Sequence, residues 1–104
     1  GGAIRVPVSD GSLVDLSLEL TEKVTVEEIN SAFINNASET LVTTTDPIVS
    51  SDVIGTTCGA LADLSLTKVV EHDGKQMVKV ISWYDNEMGY SAQMVRTAKK
   101  LLSL

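Results

Sequence analysis

A chain of 104 residues, 43% hydrophobic and 21% charged, carries enough apolar material for one modest core and excludes two independent domains. Eight Lys and Arg against fourteen Asp and Glu give a formal charge of -6 at pH 7, with basic residues gathered only at Arg96, Lys99 and Lys100, which argues against a nucleic-acid partner. One cysteine excludes an internal disulfide, one cysteine with one histidine falls short of a four-ligand zinc site, and no apolar run reaches the roughly 18 residues that span a bilayer, so a reducing, cytoplasmic setting is expected.

Gly1-Gly2 reads as a linker or as a break inside a longer chain. From Ala3 to Leu20 apolar and polar residues largely alternate, which predicts strand interrupted at Asp10-Gly11, with a bulge or tight bend where the phase shifts between Gly11 and Leu13. Leu16, Leu18 and Leu20 are expected to set the core face. Thr25 and Glu28 have capping-box spacing, and Val26, Ile29, Ala32 and Phe33 follow at helical steps, predicting a helix from Val26 that frays near Asn35-Asn36. Residues 39–55 hold two β-rich runs on either side of Asp46-Pro47 and predict two further short strands. After a Gly-containing loop, residues 64–84 read as a hairpin turned at Asp73-Gly74, with Val69, Met77, Val78, Val80 and Ile81 as its apolar surface. Met88, Ala92, Val95, Ala98, Leu101 and Leu102 predict a closing helix, with Arg96, Lys99 and Lys100 set against its carbonyl end. The order predicts an α+β fold, a mostly antiparallel sheet with helices packed on one face.

Neither G-x-G-x-x-G nor G-x-x-x-x-G-K-[ST] occurs, so the chain is not a self-contained dinucleotide-binding domain. Cys58 has the chemistry of a nucleophile, but the only imidazole, His72, lies beside the predicted turn, so both read as structural or surface residues. Arg5 within an apolar strand is either an edge-strand charge or a planar fork of donors for a phosphate. In "SWYDNEMGYS", residues 82–91, Asp85 or Asn86 can serve as an N-cap, with Trp83 and Tyr84 as core or interface aromatics.

Five ordered motifs carry a resemblance: "RVPV" from Arg5, "GSLVDLSLEL" from Gly11, "TVEEIN" from Thr25, "TDPIVSSDVIG" from Thr45 and "KVISWYDNEMGYS" from Lys79. Together they resemble the C-terminal part of the catalytic domain of phosphorylating glyceraldehyde-3-phosphate dehydrogenases, the bacterial type most of all. The resemblance implies that residues 1–104 are that part of a larger enzyme, with the NAD-binding domain and the nucleophile segment absent. It places the substrate phosphate on Arg5, the nicotinamide carboxamide of NAD on Asn86 and the flank of the ring on Tyr90. An amide suits that partner, because an Asn side chain offers one donor and one acceptor to a group that offers the same. The family's nucleophilic Cys and activating His motifs do not occur, and Thr56-Thr57-Cys58 does not replace them, so the isolated chain is expected to be inactive. The resemblance further implies oxidation of glyceraldehyde 3-phosphate in glycolysis, a homotetrameric assembly and no metal. A non-enzymatic interaction module derived from such an enzyme is the competing class.

Overall fold

The computed structural model describes residues 1–104 and contains a six-stranded sheet with two α-helices. Its strands are β1 (Gly2–Ile4), β2 (Ser12–Leu18), β3 (Leu41–Thr44), β4 (Ala60–Asp63), β5 (Lys68–His72) and β6 (Lys75–Tyr84); its helices are α1 (Val26–Asn35) and α2 (Met88–Leu102). No helix is long and apolar enough to cross a membrane.

β6 organises the sheet because its ten residues are long enough to pair on both edges with different partners. Along one edge β2 runs antiparallel from Ser12↔Tyr84 to Leu18↔Val78, and β1 pairs beyond it. The other edge is shared: β5 takes the start of β6, from His72↔Lys75 to Lys68↔Lys79, and β4 takes its end at Leu61↔Trp83 and Ala62↔Ser82. β3 then pairs parallel to β4, the one parallel contact in an otherwise antiparallel sheet. The fold is α+β, as the element order predicts. The β5–β6 hairpin turns at Asp73-Gly74, where φ is 50° and 74°, the left-handed pair that a two-residue hairpin requires.

α1 starts where its capping box directs. Thr25 Oγ1 accepts from Glu28 N at 3.2 Å and Glu28 Oε2 accepts from Thr25 N at 2.8 Å, satisfying two otherwise orphaned donors. Alternation along β6 puts Val78 and Val80 on one face, and Ile29 of α1 covers them to form the buried core, flanked by Val24, Phe33 and Val69. α2 meets the segment before β4, Gly89 lying against the Cys58 carbonyl and Arg96 reaching Thr57 O, with Gly89 its only buried residue.

Several expectations change. Arg5 lies outside any strand, in the loop 5–11 that joins β1 to β2. The predicted bend at Gly11 is the end of that loop, with φ +98°. Leu16, Leu18 and Leu20 do not close a core: each is 37–43% exposed, because α1 covers only the Val78–Val80 part of the face. The second run of residues 39–55 is a 3-10 turn, Ser50–Val53, since the Asp52 carboxylate accepts from Val49 N at 2.8 Å and curls the backbone out of an extended path. β4 was hidden in the Gly-containing loop. Arg96 is not part of the helix ending: its Nη1 donates to Thr57 O at 2.6 Å and its Nε pairs with Glu39 Oε2 at 3.2 Å, leaving Lys99 and Lys100 in the last turn.

The chain is open for its size. Its accessible surface is 6934 Å², whereas a folded monomer of this mass exposes about 5,700 Å². Its radius of gyration is 15.2 Å against about 13 Å for a compact domain of this length. Leu101, Leu102, Met94 and Val95 of α2 stand in solvent.

Candidate functional site

The polar groups that the fold gathers most tightly lie where β6 becomes α2. Asp85 is the first residue past the strand and is 2% exposed. Its Oδ1 accepts from Glu87 N at 2.9 Å and Met88 N at 2.7 Å, capping α2, while its Oδ2 accepts from Gly55 N at 2.8 Å and ties in the turn after Val53. Burial alone would raise this carboxyl; hydrogen bonding with Asp10 and the N–H groups of Gly55, Met88 and Glu87 outweighs it and holds the pKa at about 2, below the ordinary 3.8. Glu87 moves the other way: hydrogen bonding with Asp10, then desolvation and the charges of Asp10 and Asp85, raise it above its ordinary value. The capping reading of Asp85 is therefore correct, and Asn86 is left free of that task.

Asn86 is fixed from the far end of the chain. Ser12 Oγ donates to Asn86 Oδ1 at 2.9 Å, and Asn86 N donates to Asp10 Oδ1 at 3.2 Å. The sheet register makes this possible, because Ser12 opens β2 directly opposite Tyr84, the last residue of β6. Asn86 Nδ2 is committed to no other group of the chain. Asn86 and Tyr90 line one open depression of about 390 Å³, together with Tyr84, Gly89 and Gln93. Tyr90, in the first turn of α2, is 68% exposed and offers its ring to that space.

Arg5 does not line the depression, but it holds the same turn. Its Nη1 donates to Gly11 O at 3.2 Å and its Nη2 to Val8 O and Ser9 O at 3.3 Å each. Three of five N–H donors are thus engaged, leaving Nε and one Nη1 hydrogen for an anion. Gly11 is constrained on two sides, by its positive φ and by Ser50 O, which a Cβ would meet at 3.3 Å.

The remaining candidates lie elsewhere. Trp83 is structural, its Nε1 donating at 3.1 Å to Asp63 Oδ2, a buried carboxylate whose Oδ1 also accepts from Ser65 Oγ at 2.6 Å. Cys58 is buried under the start of α2, with its carbonyl against Gly89. His72 is exposed and paired with Asp73 at 3.3 Å, at the opposite end of β6, about 30 Å away at ~3.3 Å per residue. No Cys–His pair forms.

These elements match a known family. The family model described as "Glyceraldehyde 3-phosphate dehydrogenase, C-terminal domain" matches residues 1–86, from before β1 to the Asn86 junction. The chain belongs to this family. It is 54% identical over 97 residues to "Glyceraldehyde-3-phosphate dehydrogenase" of Streptococcus pyogenes and 54% identical over 97 residues to the protein of the same name from Clostridium acetobutylicum; each match covers 93% of this chain and 29% of the relative. That of Streptococcus dysgalactiae subsp. equisimilis is 53% identical over the same length. The chain thus spans under a third of the length of these dehydrogenases and corresponds to their C-terminal domain.

Proposed function

We propose that residues 1–104 are the C-terminal part of the catalytic domain of a longer enzyme that oxidises glyceraldehyde 3-phosphate with NAD and phosphate to 1,3-bisphosphoglycerate and NADH. The dinucleotide-binding domain and the nucleophile segment lie outside these residues in this reading, and the whole enzyme works as a cytoplasmic homotetramer. NAD, when bound, supplies the hydride acceptor; this chain binds and orients. Asn86 meets the carboxamide, Tyr90 flanks the ring, and Arg5 holds the substrate phosphate.

The observation that carries the reading is the state of Asn86, which lines a depression with Tyr90: its Oδ1 is pinned by Ser12, its backbone N is held by Asp10, and its Nδ2 is uncommitted. That donor set fits a carboxamide: Nδ2 can donate to its oxygen while the second lone pair of Oδ1 accepts from its nitrogen. Fixing the carboxamide fixes which ring face meets the substrate, so the contact acts on positioning as well as affinity.

Three measurements test it. The natural polypeptide should have an intact mass about three times that of this chain, as the 29% coverage of the relatives suggests, and a natural product of this length would favour the interaction module. In the full-length protein Asn86→Ala should raise KM for NAD and lower kcat/KM by roughly tenfold or more, since one or two hydrogen bonds of about 1 kcal/mol each and the orientation are lost. Unchanged kinetics would remove Asn86 from the site. The 104-residue chain alone should form no NADH, having no Cys–His pair to generate a thiolate.

A further inference from the structure

The Asp10–Gly11–Ser12 turn is bonded to both proposed ligand contacts at once. On one side Gly11 O accepts from Arg5 Nη1; on the other, Ser12 Oγ donates to Asn86 Oδ1 and Asp10 Oδ1 accepts from Asn86 N. Asp10 Oδ1 also accepts from Gly11 N at 2.6 Å, which closes the turn on itself. Nothing else in the chain bonds the Asn86 side chain. The two ends are 74 and 76 residues apart in sequence and meet only because β2 and β6 pair in this register. A slip of one residue would bring Gly11 or Leu13 opposite Tyr84 and leave Asn86 without a hydroxyl.

We propose that Ser12 and Asp10 are positioning residues for the amide-binding Asn86, and that the turn they form sets the anion-binding Arg5 and Asn86 from one piece of backbone. This inference rests on the reading of Asn86 as the carboxamide contact. An unpinned Asn side chain rotates freely about its terminal torsion, so an amide that must present a donor and an acceptor in fixed order gains from a partner that holds one of the two. Ser12 holds Oδ1 and leaves Nδ2 unbonded on a residue that lines the depression. Asp10 holds the backbone from which that side chain springs and competes with no ligand for the amide.

The experiment uses the full-length protein and two dinucleotides, NAD and its 3-acetylpyridine analogue, which keeps the carbonyl oxygen and lacks the amide N–H. The quantity read is the ratio of kcat/KM for NAD to that for the analogue, each variant being compared with the unmodified protein so that intrinsic differences between the dinucleotides cancel. Ser12→Ala should lower the ratio by roughly two- to tenfold, chiefly through KM for NAD, as expected for one hydrogen bond. Ser12→Thr, which keeps the hydroxyl, should restore it. Asp10→Ala should lower it less, and Asp10→Asn, which keeps the acceptor, should restore most of it. In the Ser12→Ala, Asn86→Ala double variant the ratio should fall no further than in Asn86→Ala alone, because both changes remove one interaction. A Ser12→Ala ratio equal to that of the unmodified protein, while Asn86→Ala lowers it, overturns the positioning role and leaves the carboxamide reading standing. A ratio unmoved by Asn86→Ala overturns the carboxamide reading and this inference with it. Failure of Ser12→Thr to restore the ratio, at an unchanged thermal midpoint, also overturns it.

Discussion

α1 and α2 are both amphipathic, but only α1 finds its apolar partner within the chain. Its Ile29 closes on Val78 and Val80, and the helix enters through a complete capping box. α2 is half as long again, yet buries only Gly89 and leaves Met94, Val95, Leu101 and Leu102 in solvent. What holds α2 is polar: the Asp85 cap at its start and Arg96 reaching Thr57 and Glu39. A helix stripe with nothing against it is the usual mark of a surface built to be covered, and the relatives are long enough to cover it. The local pattern thus specifies that a helix forms, and nothing within these 104 residues covers its apolar stripe.

The contrast can be broken most strongly at α1. Ile29→Ala in the 104-residue chain should cost about 2–5 kcal/mol of unfolding free energy in a urea titration, since it empties the centre of the only buried cluster. If the cost is below about 1 kcal/mol, α1 is not the helix that carries the core. Asp85→Asn attacks the polar mooring of α2 and should cost about 1–3 kcal/mol near pH 7, because one amide oxygen cannot replace a carboxylate that accepts three N–H groups on two oxygens.

The same carboxyl predicts a pH dependence. Its folded pKa lies below its ordinary value, so its stabilisation is complete above about pH 4 and is lost as pH falls toward about 2. Glu87 is raised and acts oppositely, protonation favouring the fold as pH drops through its own range. Thermal midpoints should therefore decline below pH 4, and Asp85→Asn should flatten that decline; an identical slope in both proteins would place the acid lability elsewhere.

Gly89→Ala sharpens the comparison at the one buried position of α2. An added Cβ would meet Cys58 O at 2.8 Å, so helix or loop must move, at about 1–3 kcal/mol. The smallest effect is expected on the open stripe: Leu101→Ser should change stability by less than about 0.5 kcal/mol in the isolated chain while reducing its self-association in light scattering. A large loss of stability there would mean that the stripe is already packed.

What the sequence could reveal follows the range of the interactions. Thr25 and Glu28 lie three residues apart, and Asp73-Gly74 turn on themselves, so α1 and the β5–β6 hairpin were legible. β4 was not: its four residues pair parallel to β3 across the connection 45–59, and no local pattern encodes that partner. The run at Ile48–Val49 reads as strand and is not one, because its path depends on one carboxylate, Asp52, three residues after Val49. Of the proposed contacts, Asn86 and Tyr90 are legible only through one motif and Arg5 only through another. The bonds of Asp10 and Ser12 to Asn86 are not legible in the sequence, although the change of phase at Gly11 to Leu13 marks their turn, because they form only in the β2–β6 register.

In the proposed site one short turn presents both an anion contact and an amide contact, and substitution of Arg5 probes the anion side. The measurement is kcat/KM of Arg5→Ala in the full-length protein on glyceraldehyde 3-phosphate and on unphosphorylated glyceraldehyde, with thermal midpoints alongside. If Arg5 holds phosphate, a charge-assisted hydrogen bond of about 1.5–3 kcal/mol is lost, and the phosphorylated substrate should suffer roughly ten- to a hundredfold, the other far less. Arg5→Lys should recover part of the loss, since a point charge cannot reproduce a fork. An equal loss on both substrates, or one accounted for by a fallen midpoint, would leave Arg5 as the clasp of Val8, Ser9 and Gly11 alone and rule out the phosphate contact.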